Sequence, residues 1–196
     1  MQFDKGYKGF SFSKEGPLDM RMDPESRLTA KEIVNRYSEK ELGDIFRDLG
    51  EDRQWRRAAQ AIVEARRKNP IETTKQLADL LISALGFRGK KRLHPATLIF
   101  QALRMAVNHE LDAIQTGLSK ALSFLSKGGR IGVISFHSLE DRIVKNLFKM
   151  ASFRKKGDLS EPVLKTLTKK PLVPAFAEIR HNPRARSAKL RFAEKL

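Results

Sequence analysis

The chain has 196 residues, 39 Lys and Arg against 23 Asp and Glu, a formal net charge of +16 and no cysteine. Disulfides, thiolate nucleophiles and Cys-based zinc sites are thereby excluded, and no apolar run approaches the roughly 20 residues that span a bilayer. With no apolar signal core at the N-terminus, the expected product is soluble, unexported and cytoplasmic. The charge balance points to a polyanionic partner, nucleic acid foremost, because neutralising phosphates releases condensed counterions. A membrane surface would call for a basic amphipathic helix with a strong apolar face or a lipid anchor, and the sequence offers neither.

Residues 1–28, with Gly6, Gly9, Gly16, Pro17 and Pro24, read as a loop holding the aromatic anchors Tyr7, Phe10 and Phe12 and the turn Asp19-Met20-Arg21-Met22-Asp23. A loop of that length in a compact domain is expected to be functional or disordered. From Thr29 the pattern is helical. Thr29 with Glu32, and Ser38 with Glu41, form capping boxes ahead of two short apolar stripes, and Gly50 suits the position after the second helix. Asp52 is placed to cap a third helix running to about Lys68, where Asn69-Pro70 stops it; Thr73 or Thr74 caps a fourth that ends at Gly86.

Gly86 to His94 is a basic, glycine-punctuated connector. Pro95 then opens a long helix with broad apolar faces, followed by another from about Glu110 to Leu125. After Gly128-Gly129, Ile131 to Phe136 has the β-branched, nearly continuous apolar character of a strand buried on both faces. Polar residues just beyond such a strand line the ligand crevice of α/β enzymes, which draws attention to His137, Ser138, Glu140, Asp141 and Arg142. The same letters also suit a plain helix start, with Ser138 as cap and two acids in the first turn. A further helix to Met150, a short strand within Leu164–Leu172 and a terminal strand over Ala188–Glu194 complete the chain.

Three basic clusters are candidate phosphate contacts. Arg53, Arg56 and Arg57 share a helical face near Trp55, which serves either as a core anchor or as a stacking surface. Arg88, Lys90, Lys91 and Arg92 crowd the connector, and Arg184 and Arg186 belong to a basic loop that also holds Arg180, His181 and Asn182. His94, at a helix start, reads as a cap or packing residue. No His pair has helical ligand spacing with a third ligand, so no metal is expected. A Walker loop and a Gly-x-Gly are absent from the sequence, and Gly128-Gly129 precedes its strand, the reverse of a dinucleotide fingerprint.

Several blocks together resemble one family, the MraW/RsmH-type small-subunit ribosomal RNA methyltransferases. They are Gly9-Phe10-Ser11-Phe12, Gly16 to Asp23, His94-Pro95-Ala96-Thr97, Phe100 to Arg104, Val107-Asn108-His109-Glu110-Leu111, Ser135 to Arg142, and Asn182 to Arg191. Each alone is weak; in this order they cover nearly the whole chain. The resemblance implies S-adenosylmethionine-dependent methylation of the N4 atom of a cytidine in 16S ribosomal RNA, free or in the assembling 30S subunit. It also implies an α/β fold, a Rossmann-like class I methyltransferase sheet with an inserted all-helical domain. On that reading residues 1–25 are a residual methyltransferase-domain loop, 26–92 the insert, and 93–196 the C-terminal part of the methyltransferase domain.

Family members carry, ahead of the region matched here, a glycine-rich cofactor loop, an acid for the ribose and an Asp-Leu-Gly-Val-Ser-Ser segment leading into a Gln. Gln2 matches that last residue, a cofactor contact, with Phe3 in place of the usual Leu; the other contacts have no counterpart, so the chain reads as N-terminally truncated. Cytosine N4 is a poor nucleophile, and transfer depends on in-line positioning in a pocket that holds the unstacked base. His137, Ser138, Glu140 and Asp141 are the pocket candidates, and Arg142 joins the RNA-binding set. Methyl transfer by this chain alone is expected to be weak or absent, and an uncovered sheet edge is expected to drive self-association. The rival reading is a non-catalytic RNA-binding or ribosome-associated module.

Overall fold

A computed structural model of the chain describes residues 8–86, 94–152 and 163–196. They form two compact units, Met1–His109 and Glu110–Leu196. The first unit is helical: α1 (Ala30–Arg36), α2 (Glu39–Asp48), α3 (Trp55–Arg66), α4 (Thr74–Leu85) and α5 (Ala96–Asn108). Local chemistry places most of these ends. Thr29, Ser38 and Thr73 each close a capping box with Glu32, Glu41 and Gln76, satisfying amides that the helix cannot bond internally. His94 Nδ1 accepts from Ala96 N at 3.1 Å, and its ring stacks on Phe12 with centroids 4.4 Å apart, so it caps and packs.

Two expected helix ends differ. Asp52 does not cap α3; its carboxylate accepts from Gln54 N at 2.7 Å in a turn, and the helix begins at Trp55. The left-handed residue after α2 is Glu51 (φ 49°), not Gly50. Gly50 is instead a close-approach residue: a Cβ there would lie 2.6 Å from Phe46 O and 3.0 Å from Leu98 O.

The core of this unit joins Ile33, Leu42, Phe46, Ile62, Leu77, Leu81, Ile99 and Leu103 with Phe10, Leu18 and Met20 from the N-terminal loop. The loop from residue 8 onward is therefore part of the packed body. Asn108 fastens it, accepting from Met22 N at 2.7 Å and donating to Met20 O at 2.8 Å, while Met20, fully buried, takes φ 64°. The packing boundary falls between His109 and Glu110, whereas the expected insert stops at residue 92, because α5 buries its apolar face in the helical core.

The second unit contains α6 (Glu110–Phe124), β1 (Arg130–Ser135), α7 (Ser138–Ala151), β2 (Leu164–Thr166), α8 (Phe176–His181), a 3₁₀ turn (Pro183–Ser187) and β3 (Lys189–Lys195). The chain is thus of mixed helix and strand class with a small sheet. Its order is β1-β3-β2, and β3 runs antiparallel to both neighbours. The register pairs Ile131 with Ala193, Val133 with Arg191 and Ile134 with Leu190.

β1 is not buried on both faces as its composition suggests. Ile131 and Val133 pack with Val144 and Phe148 of α7 and Leu118 and Leu122 of α6, whereas Ile134 is 58% and Phe136 54% exposed. Alternation along a strand sends these pairs to opposite faces, and helices cover one of them. The basic segment before β3 is likewise not a loop: Arg180 and His181 end α8, and Arg184 and Arg186 sit in the 3₁₀ turn around buried Ala185.

Candidate functional site

The polar cluster beyond β1 is built by the start of α7. His137, rather than Ser138, is the N-cap: its Nδ1 accepts from Glu140 N at 3.4 Å, and the Glu140 carboxylate reaches back to Phe136 N at 2.7 Å and His137 N at 3.4 Å. Burial works against a charge on Glu140, but the His137 ring and the two amides outweigh it and hold the carboxyl below its ordinary range. Asp141, one residue on, is buried against β3. Arg191 grips it with Nε at 2.7 Å and Nη2 at 3.0 Å, and Lys189 Nζ lies 3.7 Å away. The Arg191 hydrogen bonds, opposed by burial, lower the Asp141 carboxyl as well.

Neither carboxylate is therefore tuned as a general base, since a base near neutral pH needs its affinity for protons raised. Three of the four pocket candidates, His137, Glu140 and Asp141, serve the helix cap and the helix-to-sheet clamp. Ser138 and Arg142 present exposed side chains. Sequence reading missed Glu110, at the start of α6, although it lies in one of the blocks that carry the resemblance. Ligand atoms of Glu110, His137 and Glu140 lie within 4.8 Å of one another.

In this arrangement both His137 ring nitrogens face Glu140. With Nδ1 accepting the Glu140 amide, the ring proton belongs on Nε2, which then has no lone pair for a metal. Nε2 is buried and lies 3.0 Å from Glu140 Oε1 without a well-directed hydrogen bond. The N-terminal end of α7 also carries positive partial charge, which disfavours a cation.

The predicted phosphate contacts fall on both units. Arg53, Arg56 and Arg57 are exposed. Arg56 lies over the Trp55 ring, 4.2 Å from its centroid, and Arg57 donates to Ala84 O at 2.7 Å, tying α3 to the end of α4. Trp55 is an anchor: a Cβ on Gly43 would lie 2.7 Å from its ring. Arg66, on the same helix, is committed to Val34 O and Tyr37 O. Arg184 and Arg186 project from the second unit, both exposed. Gln2, Arg88, Lys90, Lys91 and Arg92 lie outside the described residues.

No helix among the described residues is long and apolar enough to cross a membrane. Over residues 1–196 the chain matches the model of the MraW methylase family. A ribosomal RNA small subunit methyltransferase H of Protochlamydia amoebophila is 53% identical over 208 residues, covering 100% of this chain and 65% of the relative. The protein of the same name from Caldicellulosiruptor bescii is 52% identical, covering 100% of this chain and 66% of the relative, and that of a Picosynechococcus species 50%, covering 99% and 63%. The chain thus spans somewhat less than two thirds of the length of these curated relatives.

Proposed function

Because the chain belongs to the MraW methylase family, we propose that it acts in the S-adenosylmethionine-dependent N4-methylation of a cytidine in small-subunit ribosomal RNA, in the cytoplasm. The observation that carries this is identity of about half the residues, over the full chain, to proteins named ribosomal RNA small subunit methyltransferase H. The 16S RNA, free or in the assembling 30S subunit, is the substrate. On this reading β1, β2 and β3 belong to a Rossmann-like class I sheet, residues 26–92 are its helical insert, and Gln2 faces the cofactor.

The polar groups after β1 are taken up by the cap of α7 and by Arg191, and no methyl-transfer step is assigned to them. What this chain contributes is RNA contact: Arg53, Arg56, Arg57, Arg88, Lys90, Lys91, Arg92, Arg142, Arg184 and Arg186 neutralise phosphates, and the end of β1 with Ser138 borders the base pocket. The outward face of β1 and its free edge favour association with a further sheet-bearing chain or a second copy.

Calorimetric titration with S-adenosylmethionine and filter binding to small-subunit RNA test the reading. Weak or undetectable cofactor binding by this chain is expected, together with RNA affinity that falls steeply with salt. Tight cofactor binding would overturn the expectation of a weak cofactor site in this chain, and a flat salt response would overturn the phosphate contacts.

A further inference from the structure

In the second unit a cavity of about 340 Å³ opens between α7 and the β2 side of the sheet, lined by Lys145, Lys149, Ser152, Thr166, Thr168 and Lys169, with Phe148 and Arg191 in its wall. We propose that this cavity binds a backbone phosphate of the RNA. The assignment rests on the reading of RNA as substrate and adds to it a site on residues outside the three basic clusters of the sequence.

The lining contains no acid. The ammonium groups of Lys145, Lys149 and Lys169 sit in no ion pair among the described residues, and all three side chains are exposed at the rim. Asp141 is held by Arg191 in the wall and is also felt electrostatically by Lys145 at one side of the rim, while the cavity keeps a surplus of positive charge. One hydroxyl pair supplies a directed donor. Ser152 Oγ and Thr166 Oγ1 are 2.8 Å apart, and one hydrogen between them leaves the second proton of the pair for a ligand. Thr168 Oγ1 accepts from Phe192 N at 2.9 Å and donates to Phe192 O at 3.4 Å, so its proton is engaged by the sheet and the Ser152–Thr166 pair carries the donor.

The one feature opposed to an anion is the C-terminal end of α7, whose partial charge is negative. It is already largely occupied: the carbonyls of Phe148 and Lys149 accept from Ser152 N, and that of Ala151 from Val163 N at 2.9 Å. Three mobile ammonium groups outweigh a half charge that is hydrogen-bonded away. Lys145 and Lys149 are one helical turn apart, and Lys169 reaches the same space from the segment after β2, so three positive charges converge on a volume suited to a phosphodiester. A solvated, merely soluble surface would place them apart or among acids.

The test uses the full chain and a K145A/K149A/K169A variant, with K40A/K120A/K127A as a control of equal charge change on exposed lysines elsewhere. Filter binding to single-stranded small-subunit RNA is measured across salt. At roughly 0.7 counterions per neutralised phosphate, losing the one phosphate held by the cavity lowers the log–log salt slope by about 0.7, which is about 5-fold in affinity at 0.1 M salt. The control is expected to shift much less. Equal losses in both variants overturn the cavity, since bulk charge then explains the binding. If the wild-type chain binds no RNA, the substrate reading fails, and the cavity is judged by inorganic phosphate alone. Amide shifts of Thr166 and Thr168 that saturate with phosphate in wild type and vanish in the cavity variant support a general phosphate site in place of an RNA site. Unchanged shifts overturn both. Superimposable thermal melts of the two variants and wild type show that the comparison is between folded proteins.

Discussion

Asp141→Asn removes one charge from a buried pair and leaves Arg191 with a single acceptor. The pair is 12% and 8% exposed at its side chains and bidentate at 2.7 and 3.0 Å. Stranding one member of such a pair destabilises by about 3–5 kcal/mol, a large share of the roughly 5–10 kcal/mol expected of a unit this size. Trp55, the only tryptophan in the chain, lies in the first unit, so its fluorescence does not report this loss. Amide hydrogen exchange read on peptides over 130–135 and 189–195 does. Protection there is expected to fall by roughly 2–4 decades, since each 1.4 kcal/mol is tenfold.

Replacing both partners, D141L with R191M, is expected to recover most of the loss, because apolar substitutes avoid desolvating two charges. The sign of the pH effect follows from the lowered Asp141 carboxyl. Its contribution is fully present above the unfolded carboxyl value near ~3.9 and is lost as pH falls through the lower folded value. D141N should show no such acid-dependent component. Unchanged protection in D141N at neutral pH would refute the clamp.

Three other outcomes follow from the same geometry. His137→Ala should lower the melting stability of the second unit by about 1 kcal/mol, and His137→Asn or His137→Ser should restore it, as expected of an N-cap; equal damage by all three would show that the imidazole does more than cap. Gly43→Ala gains about 1 kcal/mol of helix propensity but drives a methyl against the Trp55 ring at 2.7 Å, an overpacking loss of about 1–3 kcal/mol. The Trp55 unfolding transition should therefore move to lower denaturant, and a stabilised variant would contradict the packing. Ile134→Lys places a charge on the exposed face of the edge strand β1 and should shift sedimentation toward the monomer; unchanged association would locate the interface elsewhere.

Two capping boxes and the terminal strand were legible because their causes are local, whereas the caps of α3 and α7 were not Asp52 and Ser138 as the letters suggest. Thr29 with Glu32 and Ser38 with Glu41 satisfy amides three residues away, so the letters alone carry the geometry, while the choice of Thr73 over Thr74 and its box with Gln76 came from the structure. The family resemblance was legible for a related reason, since its blocks are contiguous. Burial of β1 was not, because Ile131, Val133 and Ile134 are equally apolar in composition and differ only in which face the helices α6 and α7 cover.

Net charge and the absence of cysteine are properties of the sequence, and they bound partner and chemistry without any fold. The roles of the polar motif after β1 needed the tertiary structure. His137, Glu140 and Asp141 look alike as candidate pocket residues in the sequence, yet Arg191, fifty residues away, decides that Asp141 is a clamp. The convergence of Lys145, Lys149 and Lys169 is likewise created by packing α7 against the sheet. Coulomb energies and hydrogen bonds depend on distances in space, and for residues far apart in the chain only the packed structure supplies those distances.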